Sequence, residues 1–167
     1  MNNTKVIYLA GGCFWGTEHA MRMLRGVIDT EVGYANGRVT NPTYEEVCTG
    51  LTNAAETVKV VYNPDEVELE TILKAYFIIT NPEFENRQGF DVGTQYRSGI
   101  YYVDEADEPI IRDYLAAEEQ KHEAFYVELE PLESFYKAED YHQDYLLKNH
   151  RGYCHVMPSD FEHIKSL

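Results

Sequence analysis

The stretch Ala10 to Met21, AGGCFWGTEHAM, sets a cysteine behind two glycines and directly ahead of two large aromatic residues. The chain holds 3 Cys and 1 Trp, and Cys13 and Trp15 stand almost side by side. A thiol at the start of a helix meets free backbone N–H groups and the positive end of the helix dipole. Both favour the thiolate, the nucleophilic form. Phe14 and Trp15 would then wall the pocket in which Cys13 reacts. The plainer alternative is a tight turn into a core helix, with Cys13 a buried structural thiol. GCFWG alone is compatible with several cysteine chemistries.

The other thiols read differently. Cys48, in YEEVCTG, falls at helical spacing from Tyr44 and is expected to be a small buried hydrophobe. Cys154, in RGYCH, lies in a Gly-containing tail where a thiol can move and be reached. An odd, small number of cysteines does not make a disulfide scaffold, so individual thiols in a reducing compartment are expected. His150, Cys154 and His155 are close together with His142 upstream, but there is no CxxC pair, and no metal is expected. His19 reads as solvated. No GxGxxG or phosphate-binding loop occurs, so no nucleotide cofactor is implied.

These residues need elements to position them. Lys5 to Ala10 reads as a buried strand, the glycines turn the chain, and Phe14 to Leu24 has helical spacing with Glu18 near its start. Strands are expected at Val27–Tyr34, Glu56–Tyr62, Tyr96–Val103 and Tyr126–Leu129. Helices are expected from Pro42 to Val47, Leu69 to Ile79 and Glu105 to Glu123, with about two helical turns from His142. Asn81 to Gly93, NPEFENRQGFDVG, has no period and reads as a long functional loop. The tail from Asn149 shows no core pattern. Alternating strands and helices in a chain this short predict an α+β fold. The expected architecture is a single-domain, two-layer α/β sandwich: a mixed sheet flanked by helices, with an irregular C-terminal tail. One domain over residues 1–167 is expected, 148–167 being a mobile tail.

Composition excludes some partners. At 167 residues, with 44% hydrophobic residues, the chain can bury a substantial core. A net charge of −15 repels nucleic acid phosphates and anionic lipid, so neither partner is expected. The apolar run before Cys13 is too short for a signal-peptide core, and no run approaches the roughly 20 residues of a membrane span. A cytoplasmic monomer is expected.

Five ordered blocks carry a family resemblance. GGCFWGTE at Gly11–Glu18 resembles the signature of the A-type peptide methionine sulfoxide reductases. NPTYEEVCTG from Asn41, AAETVKVVY from Ala54, NRQGFDVGTQYRS from Asn86 and AEDYHQDYL from Ala138 are similar to that family in the same order. The resemblance implies reduction of the S epimer of methionine sulfoxide, free and in proteins, with thioredoxin as reductant and no bound cofactor. It implies Cys13 as nucleophile, Phe14 and Trp15 as substrate pocket, and Glu56 as acid. Tyr44 and Tyr96 become oxygen-directed donors and Asp91 a supporting group. Cys154 becomes the thiol that resolves a sulfenic acid on Cys13 to a disulfide.

The chemistry demands such a set. A sulfoxide sulfur is a poor electrophile until its oxygen is protonated or strongly hydrogen-bonded. Its S-methyl group calls for an apolar, preferably aromatic, pocket, because positive charge develops at sulfur. Glu56 would be kept protonated by desolvation if it lay among the aromatics. Three departures from the family pattern stand out: Ala54 in place of a frequent histidine, Asn81 and Phe90 in the loop, and no second tail cysteine. Two other classes remain in view, a Cys–Glu amide hydrolase and a redox-switched binding module in which Cys13 and Cys154 toggle the tail.

Overall fold

The computed structural model describes residues 4–88, 91–143 and 158–167. Its framework is a six-stranded sheet with strands in the order β7-β6-β1-β3-β2-β8. The strands are β1 (Lys5–Ala10), β2 (Val27–Ala35), β3 (Ala55–Tyr62), β6 (Ser98–Tyr102), β7 (Val127–Pro131) and β8 (Phe135–Lys137). All pairings are antiparallel except β6 with β7, so the sheet is mixed, as expected. A separate two-stranded antiparallel pair, β4 (Arg87–Gln88) with β5 (Asp91–Val92), lies within the segment read as a long functional loop.

Helices α1 (Phe14–Arg22), α3 (Leu69–Ile79) and α4 (Asp107–Glu119) pack on one face. The main core lies beneath them, where Ile7, Leu9, Val32, Val58 and Val60 of the sheet meet Met21, Ile72, Leu73 and Ile111. The period-2 alternation of β3 aims Glu56, Val58, Val60 and Tyr62 to this face and Thr57 to the other. The opposite face carries a smaller cluster of Tyr8, Ala10, Ala35, Ala55 and Tyr101, with Phe135 edge-on to Tyr8 at 5.0 Å. This is the two-layer sandwich.

Several boundaries differ from the sequence reading. Tyr96 is not in a strand; it closes a 3-10 turn over Thr94–Tyr96, and β6 begins at Ser98. Strand β8 was not foreseen, because three half-buried residues are too few to show alternation. The short helix α2 (Tyr44–Cys48) starts from a capping box rather than from Pro42: Glu46 N–H donates to Thr43 Oγ1, and Thr43 N–H to Glu46 Oε1. Of the tail read as patternless, Pro158–Lys165 forms helix α5, which packs on α3 and buries Ile164 completely. One buried residue in so short a helix leaves no readable period. Phe90 and Cys154 lie outside the described residues.

Candidate active site

The turn Gly11–Gly12 ends β1 and delivers Cys13 to the start of α1. Gly12 has φ of 75°, the left-handed region that favours glycine. A Cβ at Gly11 would lie 2.8 Å from Thr80 Oγ1, so the backbone can approach α3 only without a side chain. Tyr76 hydroxyl donates to Ala10 carbonyl at 2.7 Å and Gly12 N–H donates to Tyr96 carbonyl at 3.2 Å. Cys13 itself is the N-cap residue, 5% exposed, at the positive end of a nine-residue helix.

Glu56 sits on β3 opposite Tyr34 of β2. Its carboxyl is 1% exposed, and Oε1 accepts the Phe14 backbone N–H at 3.2 Å. Desolvation pushes its pKa up to about 8; the Phe14 N–H opposes the shift and the nearby charge of Asp91 adds to it. Glu56 is therefore a protonated acid at neutral pH. Oε1 is occupied as an acceptor, which leaves the proton to Oε2, a buried atom with no hydrogen-bond partner among the described residues. A strand-end glutamate is ordinarily solvated and ionised; this one is neither.

The remaining expected residues surround that acid. Tyr44, the first residue of α2, and Tyr96 both have their phenol pKa raised, by burial first and then by the proximity of Glu56. Cys13 and Asp91 also act on Tyr96. Asp91 is raised by desolvation and held back by the Cys13 backbone N–H, while its Oδ2 is buried without a partner among the described residues. Phe14 is buried against Tyr34 at 5.9 Å between ring centroids, and Trp15 is half-buried beside it. Six of the eight expected residues, Phe14, Trp15, Tyr44, Glu56, Asp91 and Tyr96, thus come together around a seventh, Cys13, from α1, α2, β3, β5 and the 3-10 turn. Cys154, the eighth, falls outside the described residues.

The structure adds a strap that sequence reasoning left without a role. His142, considered earlier only as a metal ligand, is fully buried. Its Nδ1 accepts the Trp15 indole N–H at 3.0 Å. Glu139 accepts from Tyr34 hydroxyl at 2.9 Å and from Tyr44 N–H at 3.1 Å. Gln143 brackets Val32 of β2, accepting its N–H and donating to its carbonyl. The only signal was a polar and aromatic run, EDYHQ, with no core period.

Two other expectations need correction. Cys48 is exposed, not buried, because α2 turns its last residue away from the core while Val47 alone of the helix is buried. Its thiol bonds to Tyr44, and partial burial raises its pKa. His19 is half-buried and edge-on to Phe161 of α5 at 5.0 Å, a contact that requires the unforeseen helix.

The set holds a cysteine at a helix start, a neutral buried carboxylic acid, two phenols and an aromatic wall. It can attack an electrophilic atom while donating protons to an attached oxygen, the demand of a sulfoxide. The family model of peptide methionine sulfoxide reductase matches residues 5–165. The chain belongs to the peptide methionine sulfoxide reductase family. It is 49% identical over 153 residues to the enzyme MsrA of Mycoplasma genitalium, covering 91% of this chain and 98% of that one. It is 50% identical over 153 residues to MsrA of Clostridium acetobutylicum, covering 91% and 94%. Among solved structures, Mxr1 of Saccharomyces cerevisiae in reduced form superposes with a TM-score of 0.86 at 40% identity, covering 90% of this chain and 88% of Mxr1. Mxr1 in complex with Trx2 superposes with a TM-score of 0.60 at 28% identity, covering 85% and 84%. Thiol-dependent reduction of methionine sulfoxide is the chemistry of this reductase site.

Among the described residues no group of three His, Cys, Asp or Glu side chains could hold a metal ion. No helix there is long and apolar enough to cross a membrane.

Proposed function

We propose that this reductase acts on the S epimer of methionine sulfoxide, free and within proteins, and that Glu56 is its general acid. The observation that carries the reading is the buried Glu56, its pKa pushed up to about 8, whose Oε2 has no hydrogen-bond partner among the described residues and which lies near enough to Tyr44 and Tyr96 to raise their phenol pKa values. The S-methyl group lies against Phe14 and Trp15. The Cys13 sulfur attacks the sulfoxide sulfur as Oε2–H donates to its oxygen, with both phenols as further donors and Asp91 supporting the site. The substrate sulfur gains two electrons and leaves as methionine. Cys13 loses two and, with the oxygen, becomes the sulfenic acid. Cys154 thiolate then displaces that oxygen as water and closes a Cys13–Cys154 disulfide.

The disulfide is reopened by a dithiol protein of the thioredoxin kind, a reading supported by the similarity to Mxr1, which has been solved in complex with Trx2. No cofactor takes part. Thioredoxin and methionine sulfoxide proteins are the partners, and the net charge of −15 argues against nucleic acid and anionic membrane. The enzyme works as a monomer in the cytoplasm, within a single domain whose segment 148–167 carries the resolving thiol.

The test is reduction of separated S and R sulfoxides of an N-blocked methionine. Consumption of the S epimer alone, abolished by Cys13→Ser, is expected; equal use of both epimers overturns the reading. In quench-flow, Cys154→Ser should release about one methionine per enzyme at near-normal rate and then stall with thioredoxin. Full thioredoxin-driven turnover of that variant would exclude the Cys13–Cys154 cycle. An acyl-enzyme formed from an ester substrate would instead favour the amide hydrolase.

A further inference from the structure

The geometry points to Arg97 as a positioning residue of this site: its guanidinium, braced by Glu128, fixes the 3-10 turn that carries the Tyr96 phenol. The proposal rests on the reading of Tyr96 as a donor to the sulfoxide oxygen.

Arg97 follows that turn and stands immediately ahead of β6. Its backbone N–H donates to Thr94 carbonyl at 3.3 Å, which closes the turn. Nη1 of its guanidinium folds back and donates to the same carbonyl at 2.9 Å. Nε donates to Glu128 Oε1 on β7 at 2.6 Å. The planar fork thus spans two acceptors, one in the turn and one on the edge strand of the sheet.

The carboxylate is itself held in place. Glu128 lies opposite Gly99 in the parallel β6–β7 register. A Cβ at Gly99 would come within 2.7 Å of the Tyr101 hydroxyl, so the Tyr101 ring lies over the bare glycine. From there the fully buried phenol donates to Glu128 Oε1 at 2.9 Å. The Arg97 side chain is only 12% exposed, so its short charge-assisted bond is weakly screened by water.

The other ties of the turn do less. Thr94 Oγ1 donates to Gly50 carbonyl and Gln95 Nε2 to Cys48 carbonyl, both at 3.4 Å, long and correspondingly weak. At its far end Tyr96 carbonyl accepts Gly12 N–H at 3.2 Å, beside Cys13. Arg97 holds one end of the turn and Gly12 the other, which sets the phenol relative to the nucleophile. Without the guanidinium the turn can pivot about its Gly12 end, carrying the phenol away from the sulfoxide oxygen.

Tyr96→Phe, Arg97→Gln and Arg97→Lys separate the roles. The readout is single-turnover release of methionine from the S sulfoxide of N-blocked methionine. Displacing a reacting group by about 1 Å can cost 10²-fold. Arg97→Gln should therefore slow release about 10- to 100-fold, with the half-saturating sulfoxide concentration within about 2-fold of normal. Arg97→Lys keeps the charge without the fork and should retain most of that loss. In a Tyr96→Phe background Arg97→Gln should add less than about 2-fold, whereas in Tyr44→Phe its effect should multiply in full. An anchor for β7 alone would lower the melting temperature and leave these rates unchanged, which overturns the proposal.

If Tyr96→Phe releases methionine at the normal rate, the donor reading of Tyr96 fails. If Tyr96→Phe is slow while Arg97→Gln is fast, the positioning role alone is overturned. Full multiplication of Arg97→Gln with Tyr96→Phe, or full activity of Arg97→Lys, overturns it equally. Should Arg97→Gln not fold, Glu128→Gln serves, because it weakens the brace. It should slow release only while Tyr96 is present; an unchanged rate, or a loss that persists in Tyr96→Phe, overturns the proposal.

Discussion

Two buried regions of this molecule are built on opposite principles. Beneath α1 and α3, Leu9, Met21, Val58, Ile72 and Leu73 are each fully buried, and the tyrosine among them, Tyr76, donates to Ala10 carbonyl. A short distance along the same sheet face, Glu56, Asp91 and His142 each present a buried polar atom with no hydrogen-bond partner among the described residues. Burying an unpaired polar group costs about 1–3 kcal/mol. The first region removes apolar surface from water and holds the fold together. The second spends part of that stability to keep a carboxylic acid protonated and a histidine neutral. Desolvation is the shared cause; whether a group can ionise decides whether it yields stability or reactivity.

Exchanging the carboxyl for an amide breaks the contrast most sharply. Glu56→Gln should slow sulfoxide reduction by roughly 10² to 10⁴-fold, the range for losing a general acid. Its stability should move the other way. The folded chain holds the Glu56 proton until about pH 8, while an ordinary glutamate releases it near 4.5. Between those values only the unfolded state loses the proton, so the native state loses about 1.4 kcal/mol per pH unit from this group as pH rises. Denaturation followed against pH should show that slope in the unmodified protein and a flatter dependence in Glu56→Gln. A destabilised, pH-sensitive Glu56→Gln would mean the carboxyl is ionised in the fold.

The same proton governs activity. The kcat/KM of the unmodified enzyme should fall as pH rises through about 8, where Glu56 ionises, and Glu56→Gln should lack that limb.

Leu73→Ala tests the other region. Removing a fully buried leucine side chain should cost about 2–5 kcal/mol by thermal or chemical denaturation. Below its melting temperature, kcat/KM should stay close to that of the unmodified enzyme. A rate loss comparable to Glu56→Gln would show that core and cleft are mechanically coupled.

The smallest effect belongs to Cys48→Ser. The thiol is exposed, but partial burial raises its pKa, against a bond from Tyr44 that pulls the other way, so little thiolate forms. Thioredoxin-driven turnover should stay within about 2-fold of normal, the scale of a surface substitution. A larger loss would place Cys48 in the disulfide cycle.

Much was already readable along the chain. The 3.6-residue period of Leu69–Ile79 and the alternation of β3 depend on which residues shun water, and the helix was placed to the residue and β3 within one. The five blocks that resemble the reductase family picked out Cys13, Phe14, Trp15, Tyr44, Glu56, Asp91 and Tyr96 because the chemistry constrains residue types at local spacing. What no local pattern could decide was how distant segments meet. The exposure of Cys48 depends on which side of a five-residue helix faces the core. Helix α5 and its contact with His19 depend on packing across almost the whole chain. The acidity of Glu56 comes from what surrounds it, and the partner of His142 is an indole 127 positions away. Residue type sets which protons can move; only the tertiary fold, by excluding water and choosing partners, decides which of them do.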